Sequence, residues 1–257
     1  MILDDITPLI ITWNEANNIR RTLDKLIWAK RIVVVDSGST DETIDILKAY
    51  PQVDILHRPF ADFASQCNFG VGQVRTPWVL SLDADYELSD SLAAELQSLA
   101  PATETTGYSA KFVYRIYGRP LRASLYPPRT VLYQRDKATY ENEGHSHRVV
   151  VSGVVQPLVA PIYHDDRKPL GRWFSSQQNY ARKEAEYLLS ANRTDLGMMD
   201  RIRLAAWPAP LSVMVYTLLI KRCLFDGWPG WVYVLQRTLA ETLIALEVID
   251  RRMAKNG

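Results

Sequence analysis

Two aspartates, Asp83 and Asp85, follow the apolar run at residues 78–82 with one alanine between them. Carboxylates at i and i+2 beyond a strand end can both turn toward one ligand. Hard divalent cations take oxygen donors of this kind, and Mg²⁺ uses one or two carboxylates plus substrate phosphates. A cation held there would neutralise charge on a diphosphate leaving group. The alternative is a solvated loop whose acids cap the next helix. Asp36 presents another carboxylate, at the end of a β-branched run and before Ser37-Gly38-Ser39. It can accept hydrogen bonds from a nucleobase N–H, or merely cap its own turn. Arg129 and Arg119 offer the planar fork that matches diphosphate oxygens. Arg129 is the better placed, just before a predicted strand.

The pattern around these residues predicts the frame that would hold them. Residues 8–12 read as a short buried strand, and 15–29 as a helix with Ile19, Leu23, Leu26 and Ile27 on one face. Residues 31–35 form a second strand, and 42–49 a helix capped by Thr40 or Asp41. A strand at 53–56, a helix at 63–72, a strand at 78–82 and a helix at 89–99, capped by Ser89 or Asp90, follow. This alternation predicts an α/β fold, a mainly parallel sheet with helices on both faces. Such sheets bind ligands at the carboxyl ends of their strands. Asn14-Glu15, Asp36-Ser37 and Asp83 with Asp85 all fall at those ends, and packing requires none of them. After residue 100 the rhythm changes. Residues 107–117, 130–135, 148–151 and 154–162 read as antiparallel strands. Helices return at 173–191, 198–204 and 232–253. The expected division is a nucleotide-binding catalytic domain over 1–168 and a helical, apolar region over 169–257.

Three segments carry a family resemblance. Ile10-Ile11-Thr12-Trp13-Asn14-Glu15 resembles the opening strand of inverting glycosyltransferase family 2. The segment from Ile32 through Asp36-Ser37-Gly38-Ser39-Thr40-Asp41-Glu42-Thr43 is similar to its second signature almost residue for residue. Gln66-Cys67-Asn68-Phe69-Gly70 and the run ending Asp83-Ala84-Asp85 resemble its third. The resemblance is close over about the first 100 residues, and three motifs in order are far more specific than one. It implies the Rossmann-like GT-A fold and a nucleotide-diphosphate sugar donor, with a UDP-sugar favoured. It also implies Mg²⁺ or Mn²⁺ and inversion by direct displacement. The most similar branch builds lipopolysaccharide core, capsule and exopolysaccharide. By the same resemblance Thr12, Asn14, Glu15 and Asp36 lie at the nucleoside, Gln66 and Asn68 border the nucleotide, Asp83 faces the sugar or ribose, and Asp85 holds the metal.

Inverting transfer needs a base within hydrogen-bond reach of the acceptor hydroxyl. Residues 140–148 pack acids and imidazoles together where the branch has a glycine followed by His-Glu. Here the dipeptide is His147-Arg148, so the expected glutamate is absent. Glu143 is the first choice for the base and His145 the second, with Asp165 and Asp166 more distant. The alternative is a loop of structural histidines. His164 occupies the place where metal-using relatives carry a late histidine as a metal or diphosphate ligand.

Composition sets outer limits. The 257 residues carry a formal charge of +1, so no global field draws nucleic acid. Cys67 and Cys223 match no metal-ligand spacing, which points to a reducing compartment. The first residues lack a basic n-region, and no uncharged apolar run reaches 18 residues. The expected location is therefore cytoplasmic, at the inner face of the membrane. Trp207, Trp228 and Trp231, with Lys221-Arg222 between apolar stretches, suggest a membrane-interface anchor. Pro208 and Pro210 are read as interruptions. A homodimer surface is the alternative use of these residues, and a glycan or lipid-linked molecule is the expected acceptor. Two other readings of the whole chain remain. One is a nucleotidyltransferase, disfavoured because the loop Trp13-Asn14-Glu15-Ala16-Asn17 has no glycine. The other is a non-catalytic nucleotide-sugar-binding module, which would have no use for Asp85.

Overall fold

The order of elements begins β1 (Ile6–Thr12), α1 (Ile19–Asp24), β2 (Ile32–Asp36), α2 (Thr43–Lys48), β3 (Val53–His57), α3 (Phe63–Gln73), β4 (Trp78–Asp83), β5 (Tyr86–Leu88) and α4 (Asp90–Ser98). It continues β6 (Thr105–Ala110), β7 (Phe112–Ile116), β8 (Arg119–Pro120), β9 (Arg129–Gln134), β10 (Ala138–Glu143), β11 (Ser146–Val151), β12 (Val154–Pro157) and β13 (Ile162–His164). The helices α5 (Leu170–Ser190), α6 (Met198–Leu204), α7 (Pro208–Val215) and α8 (Trp228–Asn256) complete it. These come from a computed structural model that describes residues 3–143, 146–192, 194 and 196–256, with the backbone alone at 143, 146, 147, 255 and 256. The chain divides into two units, Met1–Tyr117 with Leu125–Arg167, and Gly118–Ser124 with Lys168–Gly257.

The first unit is built on a seven-stranded sheet in the order β12-β6-β9-β4-β1-β2-β3. β1, β2, β3 and β4 are mutually parallel, and β9 runs antiparallel to both β4 and β6. Ile32, Val33, Val34 and Val35 are all fully buried, because β2 is covered on both faces. Alternation then sorts them. Ile32 and Val34 join Ile10, Leu80 and Leu82 under α1, α2 and α4, while Val33 and Val35 join Leu9 and Val79 under α3. Gly70 lets α3 approach closely, since a Cβ there would lie 2.4 Å from the Leu9 side chain. Asp62 and Ser89 cap α3 and α4 by accepting from the Ser65 and Leu92 backbone N–H groups.

Several expectations are corrected. The helix expected over 15–29 is regular only from Ile19 to Asp24. Residues after it tighten into turns with i to i−3 bonds such as Leu26 N to Leu23 O. Ile27 consequently leaves the apolar face and is exposed. The strand expected over 107–117 breaks at Lys111 into β6 and β7, which belong to different sheets, and 154–162 likewise becomes β12 and β13. β12 runs parallel to β6, not antiparallel, while β13 runs parallel to β7 and antiparallel to β5.

In the second unit, α7 starts at Pro208. The prolines expected to interrupt this segment lie in its first turn, where a missing N–H costs nothing. A π-helical turn (Tyr216–Ile220) and a 3-10 turn (Cys223–Asp226) follow, before α8. The core of this unit, drawn mainly from α5 and α8, gathers Ala185, Leu188, Leu196, Ala206, Ala245 and Val248. The Arg203 guanidinium donates from Nε and Nη2 to the Glu241 carboxylate and from Nη1 to Glu184.

Candidate active site

Register brings the predicted polar residues to one rim. Thr12 is paired with Asp36 across β1 and β2, and Ile11 with Asp83 across β1 and β4. The carboxyl ends of three neighbouring strands therefore bring Thr12, Asp36 and Asp83 to one edge of the sheet, with Thr12 and Asp36 on one face and Asp83, in register with Ile11, on the other. The Thr12 Oγ1 is buried with no hydrogen-bond partner, and so is the Gln66 Oε1. A buried polar atom left unsatisfied costs about 1–3 kcal/mol, so both atoms are suited to a ligand that completes them. Among the described residues the Asp83 carboxylate has no hydrogen bond or ion pair, although half-buried.

The other rim residues are more committed. Asp36 is buried and accepts from the Gly38 and Ser39 backbone N–H groups at 2.8 and 3.0 Å and from the Ser39 hydroxyl. His57 Nδ1 lies 3.5 Å away. Turn capping, one of the two readings of Asp36, is thus real. Gly38 has φ +93°, which the turn needs and which disfavours side chains. Asn14, left-handed at φ 54°, takes the Thr40 N–H on its Oδ1 at 2.7 Å, and its own N–H donates to the Ser39 hydroxyl. Asn14 therefore ties the first loop to the second. Glu15 accepts from the Asn18 amide at 2.8 Å, and its N–H donates to Thr43. Gln66 donates to Ser37 Oγ and Arg58 O, both at 2.9 Å. Asn68 exchanges two 2.9 Å bonds with the Tyr140 backbone, so it pins β10 to α3.

A second cluster forms beside Asp83. β13 lies between β5 and β7, with His164 paired to Tyr86 and to Tyr114. This places His164 Nε2 3.2 Å from Asp85 Oδ2 across 79 positions of sequence. The His164 Nδ1 is buried without a partner. Burial alone would lower the His164 pKa, but the charge and hydrogen bond of Asp85, then Asp83 and Asp166, raise it above the ordinary value. The rings of Tyr126, Tyr114 and Tyr86 surround the imidazole with centroids at 4.6, 4.8 and 5.4 Å. The Tyr86 and Tyr126 hydroxyls are hydrogen-bonded to each other. Burial, then the charge of Asp83, pushes both hydroxyls up, so they stay protonated. Arg129 lies 4.9 Å from the Tyr126 ring centroid. Burial works against its charge, but Tyr86, Tyr126 and Asp83 outweigh it, and the Arg129 pKa is raised.

Three neighbouring strand ends carrying an unsatisfied hydroxyl and an acid pair, on an α/β sheet, agree with a sequence match. Residues 8–154 match the family described as Glycosyl transferase family 2. The chain belongs to that family. This glycosyltransferase is 24% identical over 247 residues to an uncharacterized glycosyltransferase of Rickettsia bellii, covering 90% of this chain and 82% of the relative. It is 28% identical over 159 residues to the lipopolysaccharide core biosynthesis glycosyltransferase LpsC of Rhizobium meliloti, covering 57% of each. Its fold matches that of the mannosyltransferase PcManGT from Pyrobaculum calidifontis, solved with GDP-Man and Mn²⁺. The TM-score is 0.54 at 14% identity, over 95% of this chain and 87% of that one. The α/β GT-A expectation is borne out.

The glycosyltransferase has a donor set that suits a divalent cation. The Asp85 carboxylate and the His164 imidazole, 3.2 Å apart, would supply the oxygen and nitrogen donors that Mn²⁺ or Mg²⁺ takes. Among the described residues no group of three His, Cys, Asp or Glu has metal-ligand spacing. Asp85 and His164 are the residues that would hold such a cation, with phosphate and water as the further donors Mg²⁺ ordinarily takes. Of the candidate bases, Asp165 is buried in an ion pair with Arg167 at 2.7 Å, and Asp166 accepts from Asn18. His145 and the Glu143 side chain lie outside the described residues. Sequence reading missed Tyr86, Tyr114 and Tyr126. The alternation of Phe112 and Tyr114 marked a strand face, but nothing local marked which ring meets His164.

Proposed function

We propose that this glycosyltransferase moves a hexose, with inversion, from a nucleotide-diphosphate sugar to a glycan or lipid-linked acceptor in envelope polysaccharide assembly. The observation that carries the reading is the convergence of an uncommitted Asp83, the Asp85–His164 pair and the unsatisfied Thr12 hydroxyl at adjacent strand ends. Thr12, Gln66 and the Asn14–Asp36 turn receive the nucleoside. Asp83 faces the sugar, and Arg129 pairs with the diphosphate. Asp85 and His164 would hold Mn²⁺ or Mg²⁺, which would neutralise charge on the departing diphosphate. The acceptor oxygen bonds to the anomeric carbon as the bond to the diphosphate oxygen breaks. The hydroxyl proton passes to Glu143, or to His145 as second choice. Two findings support this choice of class. Family membership weighs against a nucleotidyltransferase, and the LpsC similarity supports the envelope setting.

The test is a panel of UDP- and GDP-sugars with and without Mn²⁺, scored for donor cleavage and binding. UDP-hexoses are the first expectation, and GDP-mannose is the comparator that PcManGT suggests. Cleavage should require the cation. Asp85→Ala should lower it about 10²- to 10³-fold with an unchanged circular dichroism spectrum. Full activity in that variant refutes the metal role. Binding of a donor without any cleavage, at every acceptor tried, would leave the non-catalytic module.

A further inference from the structure

The second unit carries an apolar surface that the transfer chemistry does not use. One face of α7 and the following π-turn is buried, through Ala209, Val213 and Thr217 at helical spacing. In a helix bathed by water the opposite face should be polar. Here it carries Trp207, Leu211, Val215 and Leu219, four apolar residues spaced i, i+4 and all exposed, Trp207 at 74%. The turn beyond adds Ile220 at 67% and Phe225 at 64%, and the start of α8 adds exposed Trp228 and Trp231. A helix apolar on all sides belongs in a core or a lipid phase. Contiguous apolar exposure on this scale marks an interaction site.

We infer that this face docks on an anionic lipid bilayer, in the plane of the interface. Charge decides between lipid and a second copy of the chain. Lys221 and Arg222 sit at the tip of the face, between Ile220 and Cys223. The one acid between residues 207 and 235 is Asp226. It is turned inward, 4% exposed at the side chain, and paired with Arg122 at 3.2 Å. The exposed charge that residues 207–235 carry is therefore only positive. A two-fold interface is self-complementary, so the same patch on a second copy would offer these cations no opposite charge, whereas phosphate headgroups oppose them favourably. Three tryptophans at the margins suit the headgroup level, where an apolar ring and a polar N–H are both accommodated. None of the described helices is long and apolar enough to cross a membrane, so the face lies in the surface. The left-handed Arg222 and Gly227 break the helix between α7 and α8 and hold Ile220 and Phe225 at the turn.

The experiment is flotation of the full chain with phosphatidylcholine vesicles, with and without phosphatidylglycerol, together with sedimentation equilibrium in the absence of lipid. The wild type should float with phosphatidylglycerol vesicles and show a tryptophan emission blue shift. Lys221→Gln with Arg222→Gly should weaken binding roughly 25-fold, about fivefold for each charge near an anionic surface. Leu219→Glu with Ile220→Glu should abolish flotation. All three proteins should keep the same circular dichroism and the same cleavage of donor in solution, so this result stands apart from the transfer reading. A wild type that stays unbound, equal binding by the charge variant, or a lipid-free dimer that Leu219→Glu dissociates would each overturn the inference.

Discussion

The two units of this glycosyltransferase leave different things unfinished at their candidate surfaces. The first packs large aliphatic side chains on both faces of a sheet and leaves polar atoms incomplete, Thr12 Oγ1 at a strand end and Gln66 Oε1 on α3. The second packs small residues, pairs its buried carboxylates with Arg203, and leaves apolar side chains in water. Unsatisfied polar atoms point to a small charged ligand. Unsatisfied apolar area points to a phase or surface that excludes water. What a region leaves incomplete is thus a guide to its partner, and the two guides here name different partners.

The comparison breaks first at Arg203. Arg203→Met leaves Glu241 buried without its counter-ion and should cost about 3–5 kcal/mol, read by urea denaturation. Replacing Glu241 and Glu184 with Leu as well should recover most of that loss, since apolar groups need no pairing. If the single variant is silent, ion pairing does not organise the second unit. In the first unit Leu80→Ala, at a fully buried site of β4, should cost about 2–5 kcal/mol through lost transfer energy and a cavity. No second substitution to a charged partner should rescue it.

A smaller effect sharpens the polar side. The raised His164 pKa has a definite sign. In the metal-free chain the charged imidazole stabilises the fold at pH below the ordinary histidine value, and that contribution is lost as pH rises through the raised pKa. Cation binding runs the other way, because the ligating nitrogen must shed its proton. Mn²⁺ affinity by calorimetry should fall about tenfold per pH unit below the raised value. His164→Gln should flatten that dependence. A flat profile in the wild type would separate His164 from the metal.

Much of this was legible in the chain itself. Runs such as Ile32 to Val35 can only be strands covered on both faces, and Asp36, Asp83 and Asp85 announce themselves by standing at the ends of such runs. The helix expected over 15–29 was not legible. Ile27 fits a helical face, yet the turn after Asp24 turns it outward. Asn14 and Asn68, read as lying at the donor site, also tie backbone segments together, which no local pattern showed.

Sequence alone determined which elements form, because hydrophobic period and turn chemistry are local, and it determined which residue types stand at their ends. Only the tertiary structure decided that His164 meets Asp85, that three tyrosines enclose it, and that the apolar face of α7 is left outside. Those outcomes depend on strand register and on side-chain packing between residues far apart in sequence. A period of two or of 3.6 says which way a residue faces, and never what it will find there.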